Sequence, residues 1–412
     1  MSDSESERSP ERASTLSASI LSGIRVLDLS TIVAGPAASM ILSDLGADVI
    51  KVEPPGSGEA ARAMGPHRGE FGAYFTVLNR GKRSIGIDLS KPEGRELVLR
   101  LAASCDVFLE NFRGGKAAAM GLDEASIRAR RPEVIYASLS AYGACGPDYS
   151  RPGYDAVLQG RTGIMSVSGA GGDSAPARTG VSILDLGTGV WMALGILAAL
   201  LERQRTGKGQ RVDASLLQTG VMFMSYHLLY RQFSGVNPKP EGSRHTAFAP
   251  YGAFRCADGA LMIGVSSDKV FHRLCQALEQ PGLANDLRFL TNSDRVRNVE
   301  ALQQRIEEVL LTQPASHWSA VLDRHDVAND ALQNAEQVLA DRQVEALGQL
   351  AEIALNGEAP ALVPRLPIGL SRNPPEIQGP PPGIGEHTRQ ILREAGYADE
   401  EIQHFLRGSV CG

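Results

Sequence analysis

The sequence predicts an α/β protein in two parts, a large domain on a mostly parallel sheet and a smaller α+β domain. Three observations carry this. Short apolar runs alternate with helix-like stretches over the first part of the chain. A turn signal, Asp258-Gly259 between two apolar runs, opens a stretch of different texture beyond about Ala247. The 412-residue length leaves room for more than one core.

Taken in order, residues 1–20 are rich in Ser, Glu and Arg without an apolar block, and read as a disordered tail. Asp3, Glu5, Glu7 and Glu11 fit neither a secretory signal nor a transit peptide. Residues 24–29 read as a strand. Residues 36–46 read as a helix with Pro36 at its start and Gly46 at its stop. Strands follow at 48–53, 83–89, 106–110 and 134–139, with a helix over 92–104. This β-α-β rhythm gives a parallel sheet covered by helices. Residues 162–180, including Gly169-Ala170-Gly171-Gly172, read as a loop. An apolar stretch ends at Asp185, a helix covers about 187–203, and a second covers about 214–233. Tyr251–Arg255 and Leu261–Val265 form a hairpin, followed by helices near 268–279, 296–311 and 315–324. Residues 356–383 are Pro-rich, extended, and cross back over the first domain before a last helix at about 388–396. The boundaries are placed at 21–215 for the large domain, 216–246 for a linker, 247–345 for the small domain, and 346–412 for a return segment completing the large domain.

Composition excludes several classes. Apolar residues at 43% and charged residues at 21% describe an ordinary globular chain, neither disordered nor fibrous. With 41 basic and 47 acidic residues the net charge is -6, which gives nucleic acid no long-range attraction. The longest apolar run, Val190–Leu201, is too short to span a bilayer, so no membrane is expected. Five scattered cysteines without CxxC spacing argue against a disulfide framework or zinc site and point to a reducing compartment, the cytoplasm. No two of the eight histidines are four residues apart, and no metal site is expected. A P-loop, HExxH and GxSxG are missing, and GxGxxG is absent after the first strand, where Ser30–Pro36 stands. The helix start at Pro36 still leaves backbone N–H groups suited to a phosphate or carboxylate, though an ordinary strand–helix turn has the same pattern. Asp185 precedes Gly187-Thr188-Gly189 and reads first as a helix cap. The functional reading is a carboxylate nucleophile toward an acyl carbonyl, with nearby N–H groups receiving the oxyanion.

Several blocks, in order, resemble the class III CoA-transferases, the formyl-CoA transferase family. They are Leu21–Leu29 with Ala34-Gly35-Pro36, Gly46–Glu53, Asn79–Ile85, Glu110-Asn111-Phe112-Arg113, and Tyr142-Gly143 with Gly146-Pro147. Asp185 with Thr188-Gly189, Arg205–Gln210, and Pro380-Pro381-Pro382 with Gly385–Thr388 complete the set. The resemblance spans about 21–408. It implies a Rossmann-like large domain made from both ends of the chain and an interlocked homodimer. It also implies CoA transfer between carboxylic acids through an aspartyl anhydride and an aspartyl–CoA thioester on Asp185. CoA thioesters are then substrates, and no tightly bound cofactor is needed. Ile32, Val33 and Ala34 align with the segment around the CoA thiol arm, and Ile87 and Asn111 with further CoA contacts. Lys82, Arg83 and Lys91 are assigned to CoA phosphates, and Tyr142 and Tyr154 to the acyl end. Two familiar cations are replaced, by Pro54 and Ser140. Arg244-His245-Thr246 leading into Ala249-Pro250-Tyr251 resembles members that act on succinyl-CoA and small dicarboxylic acids such as glutarate, citramalate or itaconate. Arg244 or His245 would pair with the distal carboxylate. Val327-Ala328-Asn329-Asp330 departs from the usual Pro-containing turn.

Three other functions compete. The related α-methylacyl-CoA racemases place a His in a Gly-His-Asp segment; here it is Gly153-Tyr154-Asp155, and a Tyr with a pKa near ~10 is a poor base. A non-catalytic CoA-binding paralogue would have no use for Asp185. A nicotinamide oxidoreductase would need the missing fingerprint.

Overall fold

The computed structural model of the protein describes residues 19–171 and 174–412. The tail expected over 1–20 lies outside these residues except for Ser19 and Ile20, as does Gly172 of the glycine-rich loop. The chain forms two compact units. One holds the described residues up to Pro152 with Asp185–Leu216 and Gln349–Gly412; the other holds Gly153–Leu184 with Leu217–Gly348.

The first unit opens with β1 (Arg25–Asp28), α1 (Ala34–Asp44), β2 (Asp48–Glu53), α2 (Ala73–Asn79), β3 (Arg83–Gly86), α3 (Pro92–Ala102), β4 (Val107–Glu110) and β5 (Ile135–Ser140). Helix α4 (Asp155–Thr162) belongs to the second unit, and α5 (Ile183–Thr206) leads back to β6 (Arg211–Ser215) of the first. The second unit continues through α6 (Leu216–Phe223), α7 (Ser225–Ser234), β7 (Tyr251–Arg255), β8 (Ala260–Gly264), α8 (Asp268–Ala277), α9 (Val299–Leu310), α10 (Ala315–Arg324) and β9 (Ala328–Ala331). The first is completed by β10 (Leu350–Leu355), β11 (Glu358–Pro364), α11 (Thr388–Glu394) and α12 (Asp399–Arg407).

The large sheet is parallel throughout, in the order β3-β2-β1-β4-β5-β6. This is the doubly wound, Rossmann-like order, and its direction reverses between β1 and β4. Leu27 lies opposite Ile50 on one side and Phe108 on the other. Helices cover the strands, so the inner ones read as apolar runs without alternation. Leu27, Ile50, Ile85, Val98, Phe108 and Tyr136 share one buried cluster, which Leu392 of α11 and Ile402 of α12 join. The two ends of the chain thus build one core. The second unit has its own core around Phe254, Leu261, Phe271, Phe289, Leu302 and Trp318. Its sheet is antiparallel, β9-β8-β7, so Ala328–Asp330 lie in an edge strand.

Several expectations need correction. Residues 153–184 and 217–246 group with the second unit rather than with a large domain and a linker. The reason is packing: a Cβ on Gly220 of α6 would lie 2.5 Å from Thr162 Cγ2 of α4, so these helices touch at backbone distance. The helix expected over 214–233 is strand β6 followed by two helices broken at Met224. Part of the extended return segment is a hairpin, β10–β11, turning at Asn356-Gly357 with Gly357 at φ 77°. Helix α5 begins at Ile183, one turn before the expected start, so Asp185 stands in its first turn and not ahead of it. Helix α5 is 24 residues long and holds an 18-residue window with a mean hydropathy of 1.8, so it is long and apolar enough to cross a membrane by length and composition, which Val190–Leu201 alone is not. Its Leu184, Met192, Ile196 and Leu200 are buried, and a Cβ on Gly195 would meet Val212 of β6 at 2.7 Å.

Gly189 of α5 packs directly against α1. A Cβ there would meet Ala37 Cβ at 2.8 Å and the Ala34 carbonyl oxygen at 2.9 Å. Gly189→Val is therefore expected to destabilise the protein by about 1–3 kcal/mol through overpacking. Gly180→Ala, at a site with nothing within 4 Å, is expected to be near neutral. Urea-unfolding midpoints of the two variants check this.

Candidate active site

The site is built on the turn that joins β1 to α1. Asp28 closes β1 and is fully buried. Its Oδ1 accepts from Ser30 N at 2.9 Å and Ser30 Oγ at 2.5 Å, and its Oδ2 from Ser39 Oγ at 2.6 Å. Lys82 Nζ pairs with Asp28 Oδ2 at 3.2 Å and donates to Asn79 Oδ1 at 2.8 Å. Lys51 Nζ pairs with Glu59 Oε1 at 3.2 Å and donates to the Ser30 carbonyl at 2.8 Å. Glu59 Oε2 accepts from the backbone N–H of Ile32 at 2.8 Å. Ile32 sits at φ 73°, a conformation that costs a β-branched residue energy and persists only where surroundings hold it. Asn111, just past β4, grips the backbone of Thr31 from both sides: its Oδ1 accepts from Thr31 N at 2.9 Å and its Nδ2 donates to Thr31 O at 2.8 Å. A Cβ on Gly35 would fall 2.2 Å from Ser30 Cβ, so only glycine fits there.

Burial alone would raise the Asp28 carboxyl, but Lys82, Lys51 and the two serine hydroxyls overcome it and hold it at about 2. Burial lowers the Lys82 ammonium to about 8, with Asp28 opposing the change. Both remain charged at neutral pH. The ions are unscreened by water, and each depends on its partner.

The cations assigned to CoA phosphates have partners within the fold. Lys82 is buried in the network and turned away from solvent. Arg83 grips Asp48 at 2.8 and 2.6 Å and Glu394 at 2.9 Å. Lys91 Nζ donates to the carbonyls of Gly408 and Ser409 at 2.8 and 2.9 Å, at the end of α12. Asn111 is a latch on the turn.

A cleft of about 460 Å³ opens where the strands end, lined by Thr31, Ile87, Leu89, Arg95, Phe112 and Lys116 among others. Ile87 is 1% exposed and lines its floor. Arg95 makes no ion pair among the described residues, and the Lys116 ammonium stands 5.4 Å from the Phe112 ring centroid. These two cations were not singled out from the sequence. Arg95 follows Pro92-Glu93-Gly94 at the start of α3, and Lys116 follows the Asn111-Phe112-Arg113 block; nothing in either pattern separates it from a surface charge.

Val33 and Ala34 are buried where α1 begins, and Val33 O accepts from Ala37 N at 2.8 Å. Gly189 rests against Ala34–Ala38, and Asp185 lies one turn before it on the same face of α5. The half-buried Asp185 is therefore within roughly one helical pitch, about 6 Å, of that contact. A helix cap is expected of Asp185; at the start of α5, Asp155 Oδ1 accepts from Leu184 N at 2.8 Å. Tyr142 is 7% exposed, with the Arg151 guanidinium 5.4 Å over its ring.

The other assigned residues belong to the second unit. Tyr154 is 70% exposed. Arg244 pairs with Glu241 at 3.4 Å. His245 Nδ1 accepts from Ala247 N at 3.0 Å, which leaves Nε2 to carry the proton of a neutral ring. That ring lies between Phe248 and Tyr251, with centroids at 5.1 and 5.4 Å, and lines a cavity of about 590 Å³ with Tyr226, Tyr230 and Lys239.

The description "CoA-transferase family III" fits residues 21–388. The chain is 36% identical to human succinyl-CoA:glutarate CoA-transferase over 397 residues, covering 95% of this chain and 89% of the relative. It is 37% identical to succinate–glutarate CoA-transferase of Agrobacterium fabrum, covering 91% of this chain and 95% of the relative. The crystal structure of a CAIB/BAIF family protein from Brucella suis superposes with a TM-score of 0.83 at 38% identity, covering 92% of this chain and all of that one.

Lys82→Met leaves Asp28 charged and unpaired in full burial. It is expected to cost about 3–5 kcal/mol, read as a lowered urea midpoint. The folded-state pKa of Asp28 lies below its ordinary 3.8, so its stabilisation is complete above that value and is lost as pH falls toward about 2. Asp28→Asn is expected to flatten that acid limb in a pH series of unfolding midpoints.

Proposed function

The chain belongs to CoA-transferase family III, and from that membership we propose that it moves CoA from succinyl-CoA or another short-chain acyl-CoA to a small dicarboxylic acid, with Asp185 as nucleophile. CoA-transferase activity follows from the family. The dicarboxylate and the aspartyl mechanism are our reading. The observation that carries it is Asp185 in the first turn of α5, one turn from the Gly189 contact with the amino end of α1.

The steps balance without metal, ATP or net proton transfer. The Asp185 carboxylate attacks the thioester carbonyl; a C–O bond forms, the C–S bond breaks, and CoA leaves as thiolate from a mixed anhydride. The thiolate attacks the aspartyl carbonyl of that anhydride and frees the donor acid as carboxylate. The enzyme is left as an aspartyl–CoA thioester. The acceptor carboxylate attacks this thioester and gives a second anhydride and thiolate. The thiolate then attacks the acceptor's carbonyl, and the product thioester leaves Asp185 ionised as it began. Each addition puts negative charge on a carbonyl oxygen, and the backbone N–H groups opening α1 are the donors we assign to it.

In this reading Arg95 and Lys116 take the anionic end of CoA in the cleft at the strand ends, in place of Lys82, Arg83 and Lys91. Ile32–Ala34 follow the thiol arm. His245, presenting Nε2–H, and Arg244 take the distal carboxylate of the acceptor. We also read the protein as an interlocked homodimer. Support comes from large apolar side chains exposed on three helices: Leu194 and Leu201 on α5, Met222 on α6, and Tyr226 and Phe233, the last 86% exposed, on α7.

Asp185→Asn is expected to fold normally and to abolish exchange between succinyl-CoA and a pool of dicarboxylates followed by mass spectrometry; turnover within tenfold of wild type would reject the nucleophile. Arg95→Ala and Lys116→Ala are each expected to raise KM for the acyl-CoA by roughly 10-fold or more with kcat nearly unchanged, the loss of one charge-assisted contact. Light scattering is expected to give twice the 43.9 kDa chain mass.

A further inference from the structure

We infer that Asp155 and Gln159 are positioning residues for the reaction, acting on the first turn of α5 through a buried hydrogen-bonded clamp. This rests on the reading of Asp185 as nucleophile. Asp155 opens α4 and is 7% exposed; Gln159, one turn on, is 0% exposed. Asp155 Oδ1 accepts from Leu184 N at 2.8 Å. That N–H belongs to the second residue of α5, where no intrahelical carbonyl can reach it. Asp155 Oδ2 accepts from Gln159 Nε2 at 2.5 Å. Gln159 Oε1 in turn accepts from Thr179 N at 2.9 Å and Thr179 Oγ1 at 3.3 Å, and Thr179 Oγ1 donates to Val181 O at 3.0 Å.

The approach to α5 is therefore stitched to one turn of α4 at two points, Thr179 and Leu184. The second point is the residue immediately before Asp185. A half-turn of fraying at the start of a helix swings a side chain there by several ångströms. Clamping the N–H at Leu184 removes that freedom, and the buried negative charge occupies the end of α5 where the helix dipole favours it. Addition to a thioester carbonyl requires the carboxylate oxygen near ~3–3.5 Å over the face of the carbonyl carbon, and a misplacement of about 1 Å costs on the order of 100-fold. The clamp sets orientation and touches no substrate. Its loss should lower the rate of the acyl step and leave thioester binding alone.

The test follows single-turnover labelling of the full-length enzyme by succinyl-CoA, with the covalent CoA adduct read by intact-protein mass spectrometry. Asp155→Ala is expected to slow adduct formation and kcat about 100-fold. The fraction of chains labelled should stay at the wild-type level and KM should stay within about threefold. Asp155→Asn, which keeps an oxygen acceptor for Leu184 N–H, is expected to recover to within about tenfold of wild type. Gln159→Leu, which leaves Asp155 in place but frees Thr179, is expected to fall between them. A wild-type labelling rate in Asp155→Ala overturns the inference. So does a reduced labelled fraction at an unchanged rate, which is damage to the fold and nothing more. If Asp155→Ala does not fold, Asp155→Asn and Gln159→Leu decide by the same two readouts. Exchange surviving in Asp185→Asn overturns the nucleophile reading instead, so the two failures are distinct.

Discussion

Four charges without access to water, Asp28, Lys51, Glu59 and Lys82, hold the turn on which the candidate site is built. Pairing buried ions is weak evidence for stability in general, because desolvation offsets much of the attraction. Here the network also fixes shape. Each ion carries a backbone contact as well as its partner: Ser30 N on Asp28, Ser30 O on Lys51, Ile32 N on Glu59, and Pro36 O on Lys82. The turn cannot relax without stripping an ion of its partner in a dry environment. That is how Ile32 remains at positive φ, a conformation its branched side chain disfavours in isolation.

The cations assigned from the sequence are engaged within the fold in different ways: Lys82 by Asp28 and the Pro36 carbonyl, Arg83 by the carboxylates of Asp48 and Glu394, and Lys91 by the carbonyls of Gly408 and Ser409. Arg95 and Lys116 differ in that they stand at the cleft wall. A parallel division separates the two carboxylates at α5. Asp155 is buried and caps the helix, while the half-buried Asp185, in the first turn, is the candidate for chemistry.

Most of the large fold was legible because its strands are buried on both faces and punctuated by Pro and Gly. Strand β6, Arg211–Ser215, was not, since it alternates polar and apolar residues at a sheet edge and runs straight into α6. Asn356-Gly357 is a strong hairpin signal, yet the prolines beside it favoured an extended reading; Pro360 and Pro364 are tolerated because β10 and β11 form a two-stranded ladder with open edges. The position of Asp185 was legible from motif order, but its place within the helix was not. An aspartate before Gly-Thr-Gly looks like a residue ahead of the helix, yet α5 starts at Ile183 and the distant Asp155 accepts from its Leu184 N–H. For Lys82 and Arg83 the charge was legible but the partners were not, because only tertiary structure brings buried Asp28 to Lys82 and the partly exposed Asp48 and Glu394 to Arg83.

The order in which the units are threaded through the chain sets the order in which they are completed during synthesis. The second unit ends at Gly348, whereas the first needs Gln349–Gly412 to place Leu392 and Ile402 in its core and to lay Gly412 against Gly86. A ribosome therefore releases the later unit of the sequence before the earlier one is able to close. Through that interval the strands of residues 25–140 are held without the helices that seal them, a long-range closure of the kind that folds slowly and is exposed to chaperones meanwhile.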